Sequence, residues 1–395
     1  MTNIRINRQD GAKIPPEFFE RRQMPTEMNC WLSERDGDLI LHPRLPDARK
    51  LYIEVTTGCN LQCATCIRNV WSDPDADMTR ATFECILEDI DGLPDLERVI
   101  FTSFGEPLTH PGILEMIEAV RKKDLAVTLG SNGLMLKPHI SRELVRLGVD
   151  RVMVSVDGGL AETFEKVRGT YLEQIVENLR QFNAIKRDMD SLFPALGFET
   201  VILKSNVAEL TEIASLAAQM NASKILVSNV LAYTEDMFKE RLYGYEPVEP
   251  EKFQAWATRA DAWVMWATLD LPRMHWGAER RCRFIKDKAI VVGWDGKVSP
   301  CYALSHNYSY FAVDGTNKKV SRYELGDVHK QSLAEIWMSE DYVRFRSEVN
   351  AFHFPSCPDC DLRETCDLRL TNEGCWGWNP SCADCLWAQD IVKCP

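Results

Sequence analysis

Cys59, Cys63 and Cys66 stand in the run GCNLQCATC, directly after the apolar segment Leu51 to Thr56. Three thiolates can hold three irons of a four-iron cluster and leave the fourth iron open to a second molecule. An open metal position does chemistry, whereas a fully ligated one is scaffolding. The competing reading is a closed zinc site, but that takes four ligands and no histidine lies near this loop.

Nine more cysteines fall between Cys282 and Cys394, while Cys30 and Cys85 stand alone. Fourteen cysteines in a chain whose first residues hold no apolar signal segment argue for metal rather than disulfides, and for the cytoplasm. A structural zinc ribbon could use Cys357-x2-Cys360 with Cys382-x2-Cys385, which would leave Cys282, Cys301, Cys366, Cys375 and Cys394 without a task.

Elements must bring these thiols to one place. Between residues 50 and 235, short β-branched runs alternate with amphipathic stretches, the pattern of βα units around a parallel sheet. Strands are predicted at Leu51 to Thr56, Arg98 to Thr102, Ala126 to Leu129, Arg151 to Val156, Ala195 to Leu203 and Lys224 to Val230. Helices are predicted at Met78 to Leu93, Gly112 to Lys123, Arg142 to Leu147, Leu172 to Arg187 and Leu210 to Met220. Parallel sheets bind ligands at the carboxyl ends of their strands. There the chain places the cysteine triad, then SFGEP (103–107), GSNG (130–133), SVDG (155–158) and Ser228-Asn229. Each alone is ordinary turn chemistry; five at one edge make a site.

The spacing C-x3-C-x2-C after a first strand resembles the signature of the radical S-adenosylmethionine (SAM) enzymes. That resemblance implies a four-iron cluster on Cys59, Cys63 and Cys66 with SAM chelating the open iron. Gly105 and Glu106 resemble the Gly-Gly-Glu-Pro element that holds the amino group of SAM, with Ser103-Phe104 where relatives have the first glycine. Ser155 and Asp157 resemble the fourth-strand element that reaches SAM, and Arg168 would pair with its carboxylate. The alternative for Arg168 is an exposed ion pair with Glu162 or Glu165. Ser228 completes the implied SAM-binding set. Thr65 stands where relatives carry an aromatic, so adenine packing falls to Ile67 or Trp71; Trp71 read plainly is a loop anchor.

Cys282, thirteen residues, Gly296, four residues and Cys301, followed by Cys357-x2-Cys360-x5-Cys366 and Cys375, is similar to the SPASM extension, which holds two auxiliary four-iron clusters. The resemblance implies Cys282 and Cys301 on the first cluster and Cys357, Cys360 and Cys366 on the second. It has Cys375 cross back to the first and leaves Cys382, Cys385 and Cys394 to supply the rest. Nine cysteines for eight places leave one over. Gly296 fits a hairpin turn at residues 294–297 that folds Cys282 and Cys301 together. Trp376, Trp378 and Trp387 would shield a cluster.

The implied architecture is α/β: a partial (β/α)6 radical SAM barrel at 50–235 after a lead-in at 1–49 with a hairpin through Asp36-Gly37. A helical bridge at 236–281, clearest at Pro250 to Met265, leads to a cysteine-rich SPASM domain at 282–395. The charge of −13, from 59 acidic against 46 basic residues, disfavours nucleic acid, and no apolar run reaches membrane length. Arg280, Arg281 and Arg283 are a local exception, read as solvated ion pairs or as a contact for an anionic substrate or partner.

Residues 52–71 and 379–388 resemble the radical SAM maturases of tungsten-cofactor oxidoreductases. This implies work on a tungstopterin, with a tungsten-dependent oxidoreductase and a reductase such as ferredoxin or flavodoxin as partners. One rival is a peptide- or sulfatase-type protein maturase. About fifty residues before the barrel are few for a fused leader-binding domain. The other rival is a non-catalytic iron-sulfur or zinc protein. No catalytic acid or base is legible.

Overall fold

The computed structural model describes residues 5–7, 11–21, 24–25, 28–35, 37–248, 250–263, 267–377 and 379–394. The six expected strands form as β1 (Lys50–Ile53), β2 (Arg98–Phe101), β3 (Ala126–Ser131), β4 (Arg151–Ser155), β5 (Ala195–Ile202) and β6 (Ala222–Asn229). They lie in sequence order, each parallel to the next, with Leu51 opposite Val99 and Val99 opposite Val127. Both faces of these strands are buried, so they read as near-continuous apolar runs. Leu51, Ile53, Val99 and Phe101 point to a helical layer that supplies Ile86, Ile117, Leu144, Leu179 and Ile213. Tyr52 and Ile100, one residue out of phase, point the other way, onto Phe284, Val291, Tyr302 and Leu386 of the C-terminal region.

The covering helices are α1 (Arg80–Asp89), α2 (Ile113–Arg121), α3 (Pro138–Arg146), α4 (Ala161–Arg168), α5 (Leu172–Asp188) and α6 (Leu210–Gln219). Thr79 caps α1 by accepting from Thr82 N at 3.1 Å. α4, which carries Arg168, was not among the expected helices; it is only eight residues long and ends on left-handed Gly169.

The sheet runs beyond six strands. In the bridge, β7 (Thr268–Asp270) pairs parallel with β6, where helix alone was expected; three residues give no periodic signal. β8 (Ala289–Val292) pairs parallel with β1, and β9 (Lys297–Ser299) and β10 (Gly326–Asp327) extend that edge antiparallel. The sheet order is therefore β7-β6-β5-β4-β3-β2-β1-β8-β9-β10, so the C-terminal region completes the barrel sheet. The expected β8–β9 hairpin forms, with Gly296 at φ 79. An N-terminal hairpin pairs Cys30–Arg35 with Asp38–Pro43; the turn residue Asp36 lies outside the described residues, as do Met265 and Trp378. The bridge helix spans Pro250–Trp263. Among the described residues no helix is long and apolar enough to cross a membrane.

Candidate active site

The loop after β1 carries the triad, and backbone bonds fix it, while the Cys59 sulfur accepts from Leu61 N at 3.4 Å and the Cys63 thiol donates to Arg168 O at 3.8 Å. Cys66 N donates to Cys63 O at 3.1 Å, Ala64 N to Val167 O at 2.8 Å, and Asn69 Nδ2 to Cys63 O at 3.0 Å. All three thiols line one pocket at the carboxyl ends of the strands. Burial pushes each thiol up, Cys63 to about 11, with the Arg168 guanidinium pulling against it. Among the described residues no three His, Cys, Asp or Glu side chains converge closely enough to hold a single ion. Three soft ligands spaced around a cavity, with no histidine in its lining, fit a polynuclear iron-sulfur group.

The loop after β2 clasps this loop. Glu106 N donates to Gly58 O at 2.9 Å, and a Cβ on Gly105 would run into the Thr56 carbonyl and come within 2.7 Å of Gly58 O. The Glu106 carboxylate, 2% exposed, accepts from Leu108 N (3.1 Å), Ser131 Oγ (2.9 Å) and Asn132 N (2.6 Å). It braces the β2 and β3 loops from inside the lining.

Ser155, Asp157, Arg168 and Ser228 line the same pocket. Arg168 is no surface residue: it turns inward and meets Asp157 at 3.0 Å rather than Glu162 or Glu165. Its Nε is sealed without a partner among the described residues, a donor left over for a ligand. Ser228 accepts from Lys393 N at 2.9 Å and so ties the C-terminal segment to β6.

Several lining residues escaped sequence reasoning. Glu199, on the inner face of β5, has a sealed Oε1 with no partner among the described residues. Burial pushes it up to about 7, with the Lys224 ammonium pulling down. Its signal was a lone carboxylate in the run Ala195–Ile202. Asn132 spans from Asn60 Oδ1 (2.7 Å) to the Cys59 sulfur (3.8 Å), and the Tyr302 hydroxyl donates to Thr102 O at 2.7 Å. Tyr233, Trp387, Val392, Lys393 and Cys394 close the wall.

Ile67 lines the pocket and Trp71 does not. Trp71 anchors the loop against His306 (4.5 Å between ring centres) and Phe104 (6.0 Å). His306 in turn bridges Asp73 at 2.5 Å and Glu54 at 3.1 Å.

In the C-terminal region the thiols sort into two groups. Cys282, Cys301, Cys382 and Cys385 lie in mutual electrostatic range, where each negative charge would raise the others; burial pushes Cys282 up to about 12. Cys357 is raised by burial and by Cys375, and Cys360 and Cys366 sit on the tight turns that follow it. Cys375 lies in electrostatic range of Cys357, and Cys382 and Cys385 lie in range of Cys301 and Cys282. The ribbon reading is corrected, since Cys382 and Cys385 join Cys282 and Cys301 rather than the Cys357 pair. Lys318, buried and paired with Asp384, lies in range of Cys357, Cys382 and Cys385. The Trp387 indole N–H donates to the Cys394 sulfur at 3.0 Å. Arg283 pairs with Asp270 (2.6 Å) and Asp390 (2.9 Å), and Arg280 stacks on Trp276 at 4.5 Å, so the ion-pair reading holds for the first of them.

The radical SAM superfamily model matches residues 53–217, and that of SPASM, an iron-sulfur cluster-binding domain, matches residues 282–361. The tungsten-containing aldehyde ferredoxin oxidoreductase cofactor-modifying protein of Pyrococcus furiosus is 35% identical over 350 residues, 87% of this chain and 96% of that protein. The AdoMet-dependent heme synthase of Methanosarcina barkeri is 31% identical over 170 residues, 43% of this chain and 47% of that one. Two solved structures share the fold. Streptococcus suis SuiB bound to S-adenosylmethionine matches at a TM-score of 0.56, with 15% identity over 85% of this chain and 74% of that one. Native anSMEcpe with bound AdoMet matches at 0.55, with 16% identity over 87% of this chain and 93% of that one.

Proposed function

The chain belongs to the radical SAM superfamily and carries its SPASM iron-sulfur domain, and from that footing we propose that it modifies the tungstopterin of a tungsten-dependent aldehyde oxidoreductase. The observation that carries the substrate is the match to the Pyrococcus protein over 350 residues, 87% of this chain and 96% of that one.

It is an enzyme of the class that uses a four-iron cluster and S-adenosylmethionine. Bound together, these supply a 5'-deoxyadenosyl radical that takes a hydrogen atom from the substrate. Cys59, Cys63 and Cys66 would hold the cluster. Arg168, with its unpartnered Nε, and Ser155 would receive the carboxylate of SAM, while Asp157 holds the guanidinium in place. Glu106 and Gly105 keep the loops around the triad closed. Ile67, Leu231, Tyr233 and Val392 line the pocket with apolar surface and exclude water from it. Glu199, poised near neutrality, holds or accepts a proton at Oε1. The quartets Cys282, Cys301, Cys382, Cys385 and Cys357, Cys360, Cys366, Cys375 would hold the auxiliary clusters, within reach of a reductase of the ferredoxin or flavodoxin class. All fourteen cysteines are free thiols, which suits a reducing cytoplasm.

The test is co-expression, under strict anoxia, of a tungsten-dependent aldehyde oxidoreductase with this protein, with its Cys63→Ser variant, and alone. The reading expects oxidoreductase activity, or a mass change in the extracted pterin, only with the intact protein. Identical enzyme in all three would remove this substrate and turn the search to peptides and proteins.

A further inference from the structure

The C-terminal segment runs along the carboxyl end of β6. Asn229 binds Ile391 O through both its backbone N (3.2 Å) and its Nδ2 (3.1 Å), and Ser228 receives Lys393 N at 2.9 Å. The Lys393 ammonium, 1% exposed, is held by Asp270 and Asp390. These ties bring Cys394 into the lining of the pocket that holds Cys59, Cys63 and Cys66.

Eight other C-terminal cysteines suffice for two groups of four. Cys394 is in electrostatic range of Cys385, Glu199 and Arg283, and it is not among the groups that chiefly raise Cys282, Cys301 or Cys382. The Trp387 N–H takes up a lone pair of its sulfur at 3.0 Å, which leaves the thiol hydrogen free to point elsewhere. A second, independent feature of the same wall is Glu199, whose sealed Oε1 has no partner among the described residues. A buried carboxyl oxygen without a partner is a place for a ligand donor or a proton.

We infer that Cys394 belongs to neither quartet and is a substrate-contact thiol, set with Glu199 on the wall formed by β5, β6 and the C-terminal segment. The pair offers one thiol hydrogen and one carboxyl group in the lining of one pocket, which suits a substrate with hydrogen-bonding heteroatoms next to the carbon that reacts. The inference rests on the pocket being the reaction site and not on the tungsten assignment.

The experiment compares iron content and thiol labelling in the full-length protein reconstituted under anoxia. Three four-iron clusters need about twelve irons per chain. Cys394→Ala keeps the wild-type iron count and cluster EPR signals, whereas Cys385→Ala loses about four irons. In the wild-type protein, prolonged iodoacetamide treatment followed by peptide mapping labels Cys394 while the eight quartet cysteines stay protected. Saturating SAM slows labelling of Cys394 about tenfold, as filling a shared cavity requires. Loss of about four irons in Cys394→Ala, or protection of Cys394 equal to that of the quartets without SAM, would make it an iron ligand and overturn the inference. Labelling at the same rate with and without SAM would put the thiol outside the pocket and overturn it equally. None of these readouts uses a tungsten enzyme, so failure of the substrate assignment leaves them intact.

Discussion

Arg168 and Asp157 meet at 3.0 Å with side chains only 11% and 2% exposed, and the second Asp157 oxygen accepts Val201 N at 2.7 Å. One buried ion pair thus joins α4 to the ends of β4 and β5 beside the cysteine triad. Removing one partner of such a pair leaves a charge without compensation. Arg168→Met should cost about 3–5 kcal/mol in unfolding free energy by urea titration, with most of it recovered in Arg168→Met/Asp157→Asn. A loss below 1 kcal/mol would mean that the pair is as inconsequential as an exposed one.

Gly105 has no room for a side chain, because the Thr56 and Gly58 carbonyls occupy the space. Gly105→Ala should push the two loops apart at a cost of about 1–3 kcal/mol and loosen the triad more than the fold. Reconstitution should then give about four fewer irons per chain with unchanged far-UV circular dichroism. Full iron would show that the loops yield freely.

His306 titrates between two carboxylates, Glu54 and Asp73, with Trp71 and Phe104 against its ring. Burial pulls its pKa down, but the carboxylates outweigh that and hold it above the ordinary imidazole value of 6.5. A folded-state value above the unfolded one stabilises fully below the unfolded value, and the gain disappears as pH rises through the folded value. The protein should therefore lose stability as pH rises above about 6, by more than His306→Gln does, read as urea midpoints.

Glu199 moves stability with pH in the same direction, through burial rather than through a partner. Burial lifts it from 4.5 to about 7, against Lys224 and with Asp157 and Arg168 in range. The folded chain then holds a proton that the unfolded chain has released, so stability falls as pH rises across that window. Glu199→Gln should match the wild type near the lower end of that window and exceed it by about 3 kcal/mol above neutrality. Equal stability at all pH would show that the carboxylate is well solvated.

Lys318 and Asp384 are 4% or so exposed on average, at 5% and 3%, and lie between the two cysteine groups. Lys318→Met should destabilise by about 3–5 kcal/mol in thermal or urea unfolding, and Lys318→Met/Asp384→Asn by much less.

What could be read in the sequence was local. The triad, the Gly105-Glu106 turn and β1 to β6 each sit within a few residues of chain, where spacing and period-two apolar runs speak directly. What escaped depends on distant partners. β7 is three residues long, and β8 joins β1 across more than two hundred residues of chain. Arg168 was legible as a candidate for a carboxylate, but its pairing with Asp157 rather than Glu162 or Glu165 shows only once α4 turns it inward. The cysteine spacing named the ligand types but not the grouping, because which thiols approach one another depends on the tertiary fold of residues 282–394. Glu199 was hidden because a strand shows which residues face inward only once its neighbours are known.

The measurement that tests the central claim most directly is reductive cleavage of S-adenosylmethionine by the reconstituted protein under anoxia, with and without Cys63→Ser. The account predicts methionine and 5'-deoxyadenosine in equal amounts from the wild type under strong reductant, and none above background from the variant. Cleavage that survives Cys63→Ser, or its absence in a fully iron-loaded wild type, would contradict the placing of radical chemistry at this triad.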